Sequence, residues 1–584
     1  LFVRSFGTNN LPDCSNMCHE SSGVALTETI GIGKGTVKLE DFYNTDLIII
    51  AGQNPGTNHP RMLSALKTAK ANGAQIIAVN PLKEAGLMNF SDPQSPIDLL
   101  GRYTQLSDLY LQVKINADLF LFKALAKILF MWEEEGGNII NKDFITNHTH
   151  GYTELKDSLK NYDLDELITN SGLTKDEVFL AADKIAKSKK IILCWAMGWT
   201  QHVNAVEVIQ EGVNLLLLKG SIGKAGAGLC PVRGHSNVQG DRTMGIFEKP
   251  TDSFMDRLEE SFNTKFPRKH GYDVVEAIQA MHAGKAKVFI AMGGNFVSAT
   301  PDTNFTADAL RKTDLTVQVS TKLNRSHVIP GKEALILPSL GRTDIDIQNE
   351  AKQFVTVEDS MGVVHQSIGN LKSLSDSMLS EPEIIVRIAK ATLQDGNGID
   401  WDKYLKHYDN IRDDIEKSIA GFEQYNQRVR QKGGFYLPNG ARINKYFTHN
   451  GKANFSINHP EVTELADNEL LMMTIRSHDQ FNTTIYGLDD RYRGVRNERR
   501  VVFINQKDME RFGLSKLESV NLVSTYNGER RIVHNFLVVP YDIPVGCVAT
   551  YFPETNPLVP IHLTAKKSNT PVSKSIIITI EKQH

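Results

Sequence analysis

Six short apolar runs, each closed by a Gly, Asn or Pro turn, constrain this chain more than any other feature. They occupy residues 47–52, 76–81, 191–195, 288–293, 315–319 and 334–338, with helical patterns between them. Strand alternating with helix is the signature of an α/β fold. Apolarity within each run is continuous rather than alternating, which predicts parallel strands buried on both faces. One intervening helix is well marked over residues 60–72, where Met62, Leu63, Leu66 and Ala69 share a face and Gly73 ends the pattern.

From about residue 439 the pattern changes. Runs become short and β-branched, at 471–475, 500–504, 519–524, 531–539 and 575–580, with an Asn527-Gly528 turn between two of them. This predicts a separate barrel. A charged helical stretch over 402–430, ending at Gly433-Gly434, serves as connector. The expected division is an α/β domain over 1–235, a second over 236–435 and a β-barrel over 436–584. A length of 584 residues accommodates three or four packed units. Lys and Arg number 65 against 68 Asp and Glu, a net charge of −3, so no positive field favours nucleic acid. Five scattered cysteines form no disulfide framework, and cytoplasm is the expected compartment. The most apolar stretch, 119–132, contains Lys123 and Lys127 and falls short of the ~20 residues of a membrane span, so it reads as an amphipathic core helix. The chain opens Leu1-Phe2-Val3-Arg4 without Met or a signal pattern, which leads us to expect a longer parent polypeptide.

Strand-end turns are where α/β sheets bind ligands. Three are polar and Gly-rich: residues 52–58, 198–201 and 293–295. None fits G-x-G-x-x-G, and no G-x-x-x-x-G-K-[ST] loop occurs, which disfavours nicotinamide and ATP chemistry. Singly, each is an ordinary tight turn; together they point to a large, phosphate-bearing ligand. The densest such segment, 220–242, mixes glycines with Arg233, His235, Asn237 and Gln239. Arg233 is its natural carboxylate or phosphate clamp. Cys18-His19 precedes a possible helix start, where a thiol becomes a nucleophile or a soft-metal ligand. The same thiol also reads as a buried small apolar residue. No second short-spaced pair accompanies Cys14 and Cys18, which argues against structural zinc and against a local iron–sulfur ligand set. In the last domain, residues 476–484, 551–556 and 570–574 gather donors and acceptors at strand ends.

Taken together, the run 220–240 with Pro231-Val232-Arg233-Gly234 and Asn237-Val238-Gln239-Gly240, Cys18-His19, Gly52-x-Asn54-Pro55 and Arg476-Ser477-His478-Asp479-Gln480-Phe481-Asn482-Thr483 resemble the molybdopterin oxidoreductases, in their formate dehydrogenase alpha-subunit-like branch. The resemblance runs from Leu11 to the C-terminus. It implies two pseudo-related α/β domains and a C-terminal double-psi β-barrel. It also implies molybdenum or tungsten held by two molybdopterin guanine dinucleotides. Cys18 matches the metal ligand, His19 the proton acceptor and Arg233 the arginine that orients a substrate carboxylate. Gly52, Asn54, Gly198, Gln201, Gly293, Ser477, His478, Gln480, Thr483, Asn556 and Lys574 match cofactor-binding positions. Formate dehydrogenases carry Gln two residues after that arginine; His235 stands here and changes the donor pattern around the substrate. The family's N-terminal domain, with its [4Fe–4S] cysteines, does not match any part of this sequence, so the cluster is expected in the full-length protein. The implied function is two-electron oxidation or reduction of a small-molecule substrate, served by an electron-transfer partner these residues do not specify, without nucleic acid or membrane. Oxygen-atom transfer to or from nitrate or an N- or S-oxide, and a non-catalytic cofactor-binding role, are the alternatives.

Overall fold

The computed structural model describes residues 1–94 and 103–583. Two compact units emerge: Leu1–Met17 with His235–Pro438, and Cys18–Gly234 with Asn439–His584.

In the second unit, five strands form one sheet: β1 (Leu47–Ala51), β2 (Gln75–Val79), β3 (Leu109–Leu111), β4 (Ile191–Trp195) and β5 (Gly228–Pro231), in the order β3-β2-β1-β4-β5. All four pairings are parallel, with Ile49 between Ile77 and Leu193. Every residue of β1 and β4 is buried, as continuous Ile/Leu runs dictate. Helices α1 (Glu20–Ile30), α2 (Asp118–Glu134) and α3 (Ala205–Leu218) pack into the same core. The expected core helix over 119–132 is α2, and its lysines are partnered rather than solvated. Lys123 and Glu211 are both 0% exposed and sit 3.5 Å apart, while Lys127 donates to the Leu159 carbonyl at 2.9 Å.

In the first unit, β6 (Val288–Met292), β7 (Leu315–Ser320) and β8 (Glu333–Pro338) form a parallel sheet in the order β8-β7-β6. Here the expectation of two-faced burial holds only for the middle strand. Val288 is 51% and Leu335 46% exposed, so side chains of both flanking strands are left partly uncovered. The charged connector over 402–430 breaks into three short helices, Asp402–Lys406, Asp409–Ser418 and Tyr425–Arg428.

The C-terminal strands close a barrel: β9 (Leu470–Ile475), β10 (Val501–Ile504), β11 (Ser519–Tyr526), β12 (Glu529–Pro540), β13 (Cys547–Tyr551) and β14 (Ile576–Lys582), in the order β9-β13-β10-β12-β11-β14. Two pairs are parallel, β9 with β13 and β10 with β12; the others are antiparallel. Asn527 (φ 50°) and Gly528 (φ 80°) make the two-residue turn in which Tyr526 pairs with Glu529. Strand β13 was missing from the expected set, since Cys-Val-Ala-Thr-Tyr is short and abuts a turn. The observed class is the expected one: two α/β portions and a C-terminal closed barrel. Among the described residues no helix is long and apolar enough to cross a membrane.

Candidate functional site

The chain leaves β1 toward β2 and β3 on one side and returns to β4 and β5 on the other, so the β1/β4 pair is a topological switch point. Crevices form at the carboxyl ends of such strands. Gly52 and Gly198 meet there. The Gly198 N–H donates to the Gly52 carbonyl at 3.0 Å, and a Cβ on Gly198 would lie 2.4 Å from Gly52 Cα. Gly52 also holds φ 57°, which favours glycine. The sequence pattern attributes both glycines to ligand clearance; the structure shows that each also makes room for the other. Just beyond Gly52, the buried atoms Gln53 Oε1, Asn54 Oδ1, Asn58 Oδ1 and His59 Nε2 lack hydrogen-bond partners. Unmet buried groups cost about 1–3 kcal/mol each, so four at one strand end mark a place built for a polar ligand.

Cys18 ends the short helix Cys14–Cys18 and is 4% exposed. His19 is the N-cap residue of α1, and its Nδ1 shares a 2.9 Å hydrogen bond with Ser22 Oγ. Ser22 Oγ in turn accepts from Trp195 Nε1 at 2.9 Å, which ties the pair to the end of β4. Thr200 Oγ1 donates to the Cys18 carbonyl, and Ser21 Oγ donates to the Thr200 carbonyl at 2.9 Å. From the barrel, Arg476 and Lys574 come within electrostatic reach of Cys18. Burial pulls both cations below their ordinary values, Lys574 to about 7 with Arg476 adding to the effect, while the Cys18 charge pushes them back up. His59 is drawn to about 4, first by burial and then by Arg476. The Lys574 backbone N–H donates to the Gln201 carbonyl at 3.1 Å, and its Nζ donates to the Thr474 carbonyl. Cys18, His19, Gly52, Asn54, Gly198, Gln201 and Lys574 thus belong to one unit, with Arg476 and His59 as members the sequence reading passed over. Arg476 had a signal: it is the first charge after the apolar run of β9.

Ser477 and Gln480 satisfy each other. Gln480 Oε1 accepts from the Ser477 backbone at 2.9 Å, and Gln480 Nε2 donates to the Phe552 carbonyl at 2.7 Å. Arg499 ties this loop to the next by donating to Ser477 Oγ at 2.6 Å, to the Phe552 carbonyl at 2.9 Å and to Glu554 at 2.6 Å. A second buried cation, Arg493, bridges Glu84 at 2.6 Å and Asp490 at 2.8 Å and donates to the Arg476 carbonyl at 2.9 Å. Asp490 also accepts from the His478 backbone at 3.2 Å and from Tyr551 Oη at 2.8 Å. Neither arginine stood out in the sequence, because each acts on partners distant along the chain. The His478 ring lies 4.2 Å from that of Tyr492. Thr483 and Asn556 are buried, the latter opening the short turn Asn556–Leu558.

Arg233 Nη2 donates to the Gly33 carbonyl at 3.0 Å. The next residue, Gly234, passes His59 Nε2, which a Cβ there would approach to 3.6 Å. His235 and Gly293 belong to the other unit. Gly293 (φ 68°) follows β6 and donates to the Val319 carbonyl at 2.8 Å. In that unit the motif residues have folding roles: Asn237 Oδ1 accepts from the Glu358 backbone at 2.9 Å, and Gln239 donates to Glu358 Oε1 at 2.6 Å. A Cβ on Gly240 would sit 1.9 Å from Asn237 Oδ1, so only glycine fits.

The family model for molybdopterin oxidoreductases matches residues 2–328. A protein of Mycobacterium tuberculosis described as an uncharacterized oxidoreductase is 52% identical over 588 residues, covering 100% of this chain and 76% of its own length. Protein YdeP of Escherichia coli is 43% identical over 593 residues, with 100% and 78% covered. The F420-dependent formate dehydrogenase subunit alpha of Methanocaldococcus jannaschii is 24% identical over 572 residues, with 94% and 78% covered. Among solved structures, acetylene hydratase from Pelobacter acetylenicus superposes with a TM-score of 0.70 at 16% identity, covering 100% of this chain and 83% of that one; this likeness speaks to the fold.

Proposed function

Because the chain belongs to the molybdopterin oxidoreductase family, we propose that it carries out two-electron oxidation or reduction of a small substrate at a molybdenum or tungsten centre held by two molybdopterin guanine dinucleotides. One observation carries this reading: a buried thiol within electrostatic reach of Arg476 and Lys574, in the same unit as a strand end with four unmet buried polar atoms. The residues fit the group. Cys18 offers a soft thiolate suited to molybdenum. Asn54, Gln53 and His59 offer unmet groups to a pterin or guanine edge, and Lys574 offers a point charge to phosphate. Among the described residues no group of three His, Cys, Asp or Glu side chains could hold a metal ion; Cys18 would hold the metal by its sulfur, and the dithiolenes of the cofactor would supply the other ligands. When bound, that cofactor supplies the couple that exchanges the electron pair.

The chain's own residues do the rest. Arg233, anchored on the Gly33 carbonyl, orients a substrate carboxylate through charge-assisted hydrogen bonds. His19, its ring fixed by Ser22 and Trp195, takes up the proton released on substrate oxidation. Arg476 and Lys574 bring positive charge within electrostatic reach of Cys18. The test is metal and dinucleotide content, with turnover of formate and of nitrate, for the full-length protein and its Cys18→Ala variant. We expect about one Mo or W with two dinucleotides per chain, and a variant that keeps its pterin but loses turnover. Undiminished turnover in Cys18→Ala would sink the assignment, and nitrate reduction with formate inert would move the activity to oxygen-atom transfer.

A further inference from the structure

The unit formed by Cys18–Gly234 and Asn439–His584 also holds a cavity of about 300 Å³ that none of the strand-end residues above lines. That volume is at the lower end of small-molecule sites. One wall is apolar, contributed by Val203, Pro560, Leu563, Ile576 and Ile577. The rest is polar: Asn116, Asn204 and Glu207 from the starts of α2 and α3 form one wall, and His459, Thr463, Ser524 and Tyr526 are among the other lining groups. Three buried atoms of that wall, Asn116 Oδ1, Asn204 Oδ1 and Glu207 Oε2, have no hydrogen-bond partner. All three are acceptors. Asn204 stands at the N-cap of α3 without making a side-chain cap, so the local helix geometry does not account for its oxygen.

Charge narrows the ligand further. The cavity is lined by two carboxylates, Glu207 and Glu461, and by one lysine, Lys566. Lys566 lies 3.5 Å from Glu461, which leaves Glu207 as the uncompensated charge. The α3 N-terminus favours an anion by only about 0.3–1 kcal/mol, and an anion would meet a full carboxylate and three acceptors that it cannot satisfy. A primary ammonium has three N–H donors and no acceptor. We infer that this cavity binds a small primary amine with an apolar body, its ammonium donating to Asn116, Asn204 and Glu207 and its hydrocarbon lying on Leu563, Ile576 and Ile577. Ser575 also lines the cavity, and its Oγ meets His202 Nδ1 at 3.1 Å while His202 Nε2 meets the Gly198 carbonyl at 2.7 Å. The amine therefore sits beside the loop that carries Lys574, in a cavity that Cys18 does not line.

Calorimetric titration of the cofactor-loaded full-length protein with 2-phenylethylamine tests this. We expect saturable binding with Kd of about 1 mM or tighter and a rise in melting temperature. The N,N,N-trimethyl derivative, which keeps the charge and loses the donors, and 3-phenylpropanoate should each bind at least ~10-fold more weakly. Glu207→Gln should weaken the amine by ~10-fold and Glu461→Gln by less, with cofactor content unchanged in both. Leu563→Trp, which fills the cavity, should abolish binding if Glu207→Gln proves too unstable to titrate. Absence of saturation by ~10 mM, equal binding of the trimethyl or carboxylate compound, or undiminished affinity in Glu207→Gln or Leu563→Trp overturns the proposal.

Discussion

Replacing Arg493 by Met gives the sharpest test of how the barrel loops are held. The guanidinium is buried, and it bridges Glu84 beyond β2 and Asp490 beyond β9 at 2.6 and 2.8 Å. Methionine matches the hydrophobic stem but leaves two buried carboxylates facing each other without a cation. Breaking a buried pair in this way costs about 3–5 kcal/mol, and the lost bond to the Arg476 carbonyl adds about 1 kcal/mol. The cost should depend on pH. Burial pushes the Asp490 carboxyl up, but the Arg493 charge, Tyr551 and the His478 N–H hold it below its ordinary value. A carboxylate with a depressed value stabilises the fold above its unfolded value near 3.8, and that contribution is lost as pH falls through the folded value. Without Arg493 burial dominates, Asp490 takes up a proton at higher pH, and neutralisation limits the damage. The penalty should therefore be largest near pH 8 and shrink toward pH 5. Hydrogen exchange at the His478 amide, which donates to Asp490, reads the loop directly and should speed up by ~10³–10⁴-fold at pH 8. The triple change Arg493→Met with Glu84→Gln and Asp490→Asn should recover most of the loss, since no charge is left buried. Unchanged exchange at His478, or an equal penalty at pH 5 and pH 8, would refute this reasoning.

Asp118 offers the opposite titration: burial raises its carboxyl to about 6, although it accepts from Trp199 Nε1 at 2.8 Å. Its stabilising contribution is fully present below about pH 4 and lost as pH rises to about 6, an effect of order ~3 kcal/mol. Asp118→Asn should therefore flatten the melting profile between pH 4 and 7, and a variant curve parallel to the parent's would count against this. Gly198→Ala should cost about 2–3 kcal/mol and release bound dinucleotide, because the new methyl meets Gly52 backbone at 2.4 Å, where nothing can swing away; melting and cofactor content check it. Arg499→Met should loosen both strand-end loops, seen as faster proteolysis within 477–483 and 552–554, while Arg499→Lys restores only part of the protection because lysine lacks the fork.

The sequence by itself determined the architecture, and the reason is local. A run such as Leu-Ile-Ile-Ile-Ala is uniformly apolar over five residues, which suits only a strand covered on both faces, and β1 is that strand. The Asn527-Gly528 pair dictated a tight hairpin because two consecutive residues need positive φ. Cys18, Gly52, Gly198, Gln201 and Lys574 were legible as polar or conformationally special residues at strand and helix ends. What the sequence left undecided depends on partners far along the chain. Gly52 and Gly198 need each other across 146 residues, a requirement that exists only once β1 and β4 lie side by side. Arg493 and Arg499 look like ordinary surface arginines in a row of charges until the barrel closes and buries them. Lys123 interrupts an apolar helix in a way that reads as amphipathic, and only the packing of α2 against α3 supplies Glu211 to neutralise it. Periodicity encodes which face of an element is apolar. Which charge meets which is set by tertiary geometry, and the polar machinery of this protein is made of such meetings.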